Sequence, residues 1–159
     1  MSVRRIVTTH GEQGEAKIWM DGPAPNAKYP NELITSTLLW STAETPADFM
    51  TEEDYGNRIL GTAPPANGCR FIMFEVAPGG VGRQHKTDTL DFIVGVEGEM
   101  TMTLDDGAEV TFGPGDVIVQ RGTFHGWENR TDKVAKIAII LLDGQPKRSD
   151  SVAGAANAG

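Results

Sequence analysis

The fold is decided by residues 100–112, which read MTMTLDDGAEVTF. Two runs of β-prone residues flank the dipeptide Asp106-Gly107, and Asp-Gly between alternating runs is the strongest short-range signal of a β-hairpin. Apolar residues at helical spacing are almost absent from the surrounding sequence. The stretch therefore predicts two antiparallel strands joined by a tight turn.

The same pattern extends in both directions from this hairpin, from Arg70 to Leu142. Short β-prone runs alternate with Gly- and Pro-rich turns at the spacing of a β-sandwich or barrel. The predicted strands are 71–76, 90–96, 100–104, 109–112, 117–120, 126–129 and 135–142. We therefore expect an all-β antiparallel domain.

The first sixty residues add an arm to this domain. Three further strands are predicted at 5–9, 16–20 and 32–40, and two prolines predict that residues 21–26 are irregular. Thr45 as N-cap and Pro46 at the first helical position predict a helix of one or two turns over a pocket mouth. Because an arm of this kind pairs with an edge strand of its own or a neighbouring chain, we expect a homodimer.

Chain length and composition fit one domain with tails. The chain has 159 residues, with 19 glycines and 9 prolines that account for frequent turns. We divide it into an N-terminal arm with a short helical lid (1–60), a β-barrel core (61–145) and a C-terminal tail (146–159). The tail has no periodicity, so we expect it to be disordered.

Charge and hydropathy exclude several classes of partner. Lys and Arg number 14 against 22 Asp and Glu, a net charge of −8, which repels phosphate backbones and anionic lipid. The longest apolar run, Ile137–Leu142, is far shorter than the ~20 residues that span a bilayer, and the first residues lack the apolar stretch of a signal peptide. We expect a cytoplasmic, soluble protein whose partner is a small-molecule substrate, not nucleic acid or a membrane.

Two of the three histidines, His85 and His125, lie in the β-rich region. Residues six apart on a straight strand are separated by ~20 Å, so His85 meets Asp91 only if the chain turns at 87–89. We predict that His85 then ends one strand and Asp91 begins its antiparallel neighbour. Two imidazoles and one carboxylate match a divalent-metal site, whereas the plainer interpretation is that these groups serve as hydrogen-bonded core or turn residues. Cys69 is the one cysteine, so a Cys-based zinc site is excluded.

Read together, two motifs resemble the cupin family. The first contains Gly79, His85, Asp91 and Gly98, and the second runs from Gly115 to His125 and on to Asn129. The resemblance covers Arg70 to Leu142. It implies a small antiparallel jelly-roll β-barrel.

The chain departs from the family pattern at three positions. Thr87 stands where the family has its second histidine, Asp91 where it has Glu, and Gln120 where it has Pro. The resemblance therefore implies His85, Asp91 and His125 as ligands for Fe, Mn, Ni or Zn, with no organic cofactor. A hydroxyl is a weak ligand and Asp is shorter than Glu, so metal affinity is expected to be reduced or lost.

The resemblance implies a small-molecule enzyme, a metal-assisted lyase or isomerase. Such enzymes dehydrate, decarboxylate or cyclise oxo- or hydroxy-acids and polyketide-like substrates, and His125, His85 and Asp91 are the expected catalytic residues. With a metal, the ion acts as Lewis acid; without one, a histidine is the general base and Asp91 orients it. The alternatives are a non-catalytic ligand-binding or sensor cupin, and a metal-dependent dioxygenase, which usually keeps the histidine replaced by Thr87.

Residues near the two histidines are the candidates for substrate binding. Trp127 lies two residues after His125, so on a strand the two side chains share a face. Trp127 either stacks on a planar substrate or belongs to the core. Arg83 offers a guanidinium fork for a carboxylate, or lies on a solvated rim. The remaining candidates are Gln84, Thr87 and Trp40.

Overall fold

The computed structural model describes residues 2–146, so the predicted C-terminal tail lies outside the described residues from 147 onward. The described part forms eleven strands. They are β1 (Arg4–His10), β2 (Ala16–Pro23), β3 (Asn26–Asn31), β4 (Ile34–Thr42), β5 (Cys69–Val76), β6 (Thr89–Glu97), β7 (Met100–Leu104), β8 (Glu109–Phe112), β9 (Val117–Arg121), β10 (His125–Glu128) and β11 (Ala135–Asp143). The predicted all-β class is confirmed, as is the hairpin of β7 and β8, in which Met100 lies opposite Phe112.

Two antiparallel sheets enclose the interior. The larger has the strand order β3-β4-β5-β11-β6-β9 and the smaller β10-β7-β8, while β1 and β2 form a separate two-stranded sheet. One cluster of buried side chains joins the two main sheets, with Ile93 and Ile137 from the larger and Met100 and Trp127 from the smaller. This is the jelly-roll arrangement expected of a small β-barrel.

The inner face of the larger sheet consists of cross-strand rows, because directly opposite residues share a face. One row is apolar and contains Leu38, Ile72, Ile139, Ile93 and Ile118. The adjacent row, one step nearer the start of β6, contains Arg70, Leu141, Asp91 and Gln120, all buried. The interior is therefore apolar in the middle and polar at one end; we call this second set the polar row.

The prediction that residues 21–26 are irregular was wrong at both ends and is confirmed only for residues 24 and 25. β2 continues through Pro23, and β3 already begins at Asn26. The Ala24 amide donates to the Val3 carbonyl, so the preceding nitrogen, that of Pro23, points to the open edge of the two-stranded sheet. Proline is tolerated there because no ladder hydrogen bond is lost.

The predicted helix at Thr45 was also wrong. The Thr45 hydroxyl donates to the carbonyl of Asn67 and caps no amide, and residues 45–54 are bends and coil. A single 3-10 turn, Tyr55–Asn57, follows instead, and the Asp54 side chain accepts from the Gly56 amide at its start. Across residues 2–146, no helix has the length and apolar character needed to cross a membrane.

Gly95 on β6 is predicted to be essential for closing the barrel. A Cβ added there would overlap the carbonyl oxygen of Gly113, which is backbone and cannot move aside. We expect Gly95→Ala to lower the free energy of unfolding by about 1–3 kcal/mol, the usual cost of overpacking. The matched control is Gly22→Ala, where the added methyl meets open space. Equal urea midpoints for the two variants would contradict this prediction.

Candidate functional site

His85 and His125 lie side by side. Residues 81–85 run antiparallel to β10, and the two histidines exchange both backbone hydrogen bonds at 2.9 Å. Opposite residues of an antiparallel pair present their side chains on one face, which brings the two ring centroids to 4.6 Å. The local backbone pairing thus juxtaposes two imidazoles that are forty positions apart in sequence.

Hydrogen bonding to backbone carbonyls determines the tautomer of each ring. The Nδ1 atom of His85 lies 3.0 Å from the Arg83 carbonyl oxygen, and Nδ1 of His125 lies 3.0 Å from that of Thr123. Since a carbonyl oxygen only accepts, Nδ1 carries the proton in both rings. In the neutral form each Nε2 then holds a lone pair and is available to accept a proton.

The environment of His125 favours its neutral form. The residue is 3% exposed, and burial lowers its pKa, with a further lowering from the neighbouring charge of His85. Two imidazolium ions at this separation would repel each other. The His125 ring is therefore expected to be neutral at neutral pH.

Asp91 faces the same interior from the opposite sheet. β6 pairs with β11 and β9, so the chain crosses between sheets after His85; the prediction of a hairpin joining His85 to Asp91 was wrong. The crossing requires only a loop at 86–88, since β6 begins at Thr89. Asp91 shares the inner face with Ile93, whereas His125 shares a face with the core residue Trp127. The two sheets therefore aim the imidazoles and the carboxyl group at one space.

The carboxyl group of Asp91 is held by Gln120. Nε2 of Gln120 donates to Oδ2 at 3.0 Å, and both side chains are buried. Oδ1 of Asp91 has no partner among the described residues. Burial raises the pKa of Asp91, although the neighbouring Thr89 hydroxyl and the charge of His85 lower it in part.

A metal ion needs at least three suitable side chains close together. Across residues 2–146, no three side chains of His, Cys, Asp or Glu lie close enough together to hold one. Two imidazoles are adjacent, but the third ligand expected, Asp91, is engaged with Gln120. As arranged, the residues do not fit a three-ligand centre, and the metal predicted from the sequence stays a prediction.

Trp127, Thr87 and Trp40 occupy different environments. Trp127 is 4% exposed and packs edge-on against both His125 and Phe112, so it is a core residue that also walls the histidine pair. Thr87 is half-buried and accepts a hydrogen bond from Thr89. Trp40 contacts the arm through Trp19 and the 3-10 turn through Tyr55, and the structure does not bring it to the histidines.

Gln84 and Arg83 lie at the rim. Gln84 donates to the Thr103 hydroxyl and lines a cavity of about 410 Å³ with Arg130, Glu128 and other residues. Because Gln84 and His85 are adjacent on an extended segment, the Gln84 side chain points away from the histidine pair, whereas Trp127 borders both the cavity and His125. Arg83 is exposed, and its carbonyl oxygen orients the His85 ring.

Two residues of the site, Arg70 and Gln120, were not among the predicted site residues. Arg70 is 7% exposed and donates from one guanidinium nitrogen, Nη1, to the Thr62 carbonyl at 2.6 Å. The available signal was the alternation of side chains along a strand. Arg70 precedes Ile72 by two residues and Gln120 follows Ile118 by two, so each shares a face with an apolar residue. Alternation identifies a shared face but not which face is buried.

The chain is similar in sequence to several known proteins. The family model Cupin_2, described as Cupin domain, matches residues 72–142. A cupin-domain-containing oxidoreductase, virC, of Hypocrea virens is 30% identical over 149 residues, which cover 89% of this chain and 76% of that protein. The Phomopsin biosynthesis cluster protein C' of Diaporthe leptostromiformis is 31% identical over 119 residues, 71% of this chain, and the match spans only 63% of that relative's length.

A solved structure shares the architecture. The polyketide cyclase RemF from Streptomyces resistomycificus superimposes with a TM-score of 0.51 at 20% identity, and the match covers 92% of this chain and 82% of that chain. At this identity the likeness supports the fold alone.

The lowered pKa of His125 predicts a loss of stability in acid. Below the ordinary histidine pKa of about 6.5 the unfolded chain binds this proton while the folded chain resists it, so protonation favours unfolding. Stability from the neutral ring is present above that pH and is lost as the pH falls. We expect His125→Asn to show a smaller drop in Tm between pH 7.5 and pH 5.5 than the wild type. The exposed residue His10 supplies the control, His10→Asn, and equal drops in all three proteins would contradict the prediction.

Proposed function

The chain belongs to the cupin family, and on that premise we propose that it is a small-molecule enzyme, a lyase or isomerase that transfers protons through His85 and His125. Its substrate would be an oxo- or hydroxy-acid or a polyketide-like compound. The observation that supports this proposal best is the pair of imidazoles 4.6 Å apart, each with Nδ1 on a backbone carbonyl and Nε2 left for chemistry. Such a pair offers two adjacent ring nitrogens for proton transfer to and from a substrate.

Dehydration illustrates the chemistry that this pair supports. The Nε2 lone pair of one neutral ring removes the proton next to the substrate carbonyl, and the other ring, protonated, donates to the departing hydroxyl. A C–H bond and a C–O bond break, a C=C bond forms, and water leaves. The two rings together hold the same number of protons before and after the step. Isomerisation would use the same proton removal with return of the proton to another atom.

The surroundings of the pair suit this role. Burial keeps His125 neutral near pH 7, so it accepts a proton without first losing one. Trp127 covers one side of the His125 ring and excludes water from it. The unpartnered Oδ1 of Asp91 is an acceptor for a substrate hydroxyl, and Gln120 keeps this carboxyl group in position.

An oxidoreductase is the second candidate, because the virC relative is named a cupin-domain-containing oxidoreductase. For this chain, the oxidoreductase considered in the sequence analysis is a metal-dependent dioxygenase. The two candidates differ in what they consume. The dioxygenase would take up O₂ and lose activity after dialysis against EDTA, whereas proton transfer by the histidine pair consumes no O₂ and survives that dialysis.

Hydrogen exchange with D₂O tests the proposal without knowledge of the natural product. The protein is incubated in D₂O with a panel of β-oxo- and β-hydroxy-acids, and deuterium entering next to the carbonyl is followed by NMR. We expect exchange with the wild type and a loss of roughly 10²–10⁴-fold in His125→Asn and in His85→Asn, the usual size of a general acid–base contribution.

The control for this experiment is His10→Asn, which changes a histidine outside the pair and should leave exchange unaltered. Thermal melts establish that each variant is folded. Undiminished exchange in His125→Asn would rule out the proposal. Binding of a panel acid with no exchange in any protein would favour a non-catalytic ligand-binding cupin.

A further inference from the structure

The polar row contains an unusual concentration of unpaired groups. Among the described residues, three buried side-chain polar atoms have no hydrogen-bond partner: Nε of Arg70, Oδ1 of Asp91 and Oε1 of Gln120. All three belong to the polar row, on β5, β6 and β9. Buried groups of this kind are costly when unpaired, and their grouping in one row indicates a common partner.

The unpaired atoms differ in chemical character along the row. Arg70 contributes the Nε–H group of its guanidinium cation, which is a hydrogen-bond donor. Within residues 2–146 this guanidinium forms no ion pair with a carboxylate. Asp91 and Gln120, which are hydrogen-bonded to each other, contribute two acceptors. A complementary molecule must therefore carry an anionic acceptor at one end and a hydrogen-bond donor at the other.

Strand spacing gives the distance between the backbone positions that carry these two ends. β11 separates β5 from β6, so the Cα atoms of Arg70 and Asp91 lie about 9–10 Å apart. The intervening residue of the row is Leu141, an apolar side chain on which a carbon skeleton would rest. The row thus matches a compact molecule with polar groups at both ends and an apolar middle.

We propose that the polar row binds a hydroxy-acid, with its carboxylate on Arg70 and its hydroxyl on Asp91 and Gln120. Arg70 offers the Nε–H and Nη–H groups that a carboxylate accepts in a bidentate pair. The hydroxyl donates to the free oxygen of Asp91 or Gln120. This inference rests on the proposed function for treating the interior as a substrate site, and it narrows the substrate class from oxo- or hydroxy-acids to hydroxy-acids held by both ends.

Binding of a matched set of probes tests the inference. The ¹⁵N-labelled full-length protein is titrated with para-hydroxybenzoate, with benzoate, which lacks the hydroxyl, and with para-hydroxybenzamide, which lacks the carboxylate. We expect para-hydroxybenzoate to shift the Arg70 Nε–H signal and to bind at least about tenfold more tightly than either other probe.

The decisive variant is Arg70→Met, compared with Arg5→Met. Arg70→Met should remove the preference for para-hydroxybenzoate over its amide, while affinity for the amide is kept. It should also melt at or above the wild-type Tm, because it removes a buried cation without a counter-ion. Arg5 forms a two-bond pair with Asp54, so Arg5→Met should lower Tm and leave the preference unchanged. If Arg70→Met instead lowered Tm and left the preference for para-hydroxybenzoate unchanged, the role of Arg70 would be structural only.

Other outcomes are equally informative. If neither para-hydroxybenzoate nor benzoate shifts the Arg70 Nε–H signal, no carboxylate reaches Arg70 and the inference is overturned. If Arg70→Met does not fold, the Arg70 Nε–H signal of the wild type still tests the inference. In that case Arg70→Lys should keep part of the preference for para-hydroxybenzoate, because it retains the cation. A preference that depends on Arg70 without any D₂O exchange would overturn the proposed function alone. Exchange with a preference independent of Arg70 would overturn this inference alone.

Discussion

The site depends on the two backbone hydrogen bonds between His85 and His125. They place the residues in direct opposition, and this opposition brings the rings together without any contribution from the side chains. The same pairing ends where the chain leaves the smaller sheet, and the next strand, β6, begins in the larger one. One local constraint therefore places the imidazoles on one wall of the interior and the carboxyl group of Asp91 on the other.

The interior combines rigidity with unsatisfied polarity. The row of Leu38, Ile72, Ile139, Ile93 and Ile118 supplies close packing, and each buried side chain of this kind stabilises the fold by roughly 1.5–3 kcal/mol. The adjacent polar row is destabilising, since each unpaired buried polar group lowers the free energy of unfolding by about 1–3 kcal/mol. The apolar row offsets this cost and holds the polar groups at fixed positions, which a binding site requires.

Much of the fold could be predicted from local sequence signals, but the contents of the site could not. Turn residues such as Asp106-Gly107 identify strands by their ends, and the seven strands predicted after Arg70 are all present. Local signals failed where the surroundings decide the outcome: Pro23 is tolerated because its nitrogen faces an open edge, and Thr45 bonds to a distant carbonyl instead of starting a helix. Arg70 and Gln120 were not among the predicted site residues because their meeting with Asp91 depends on the order β5-β11-β6-β9, which no local pattern encodes.

The departures from the cupin motifs are related to one another in space. Asp91 stands where the family has Glu and Gln120 where it has Pro, yet these two residues are direct cross-strand partners joined by a hydrogen bond of 3.0 Å. A proline at 120 has no side-chain amide to donate, so the carboxyl group of Asp91 would lose its partner. The third departure, Thr87, is likewise engaged, with Thr89. The three replacements thus take part in two separate hydrogen bonds, from Gln120 to Asp91 and from Thr89 to Thr87. The side chain at 120 therefore holds the carboxyl group at 91 through a contact that a proline there would not make.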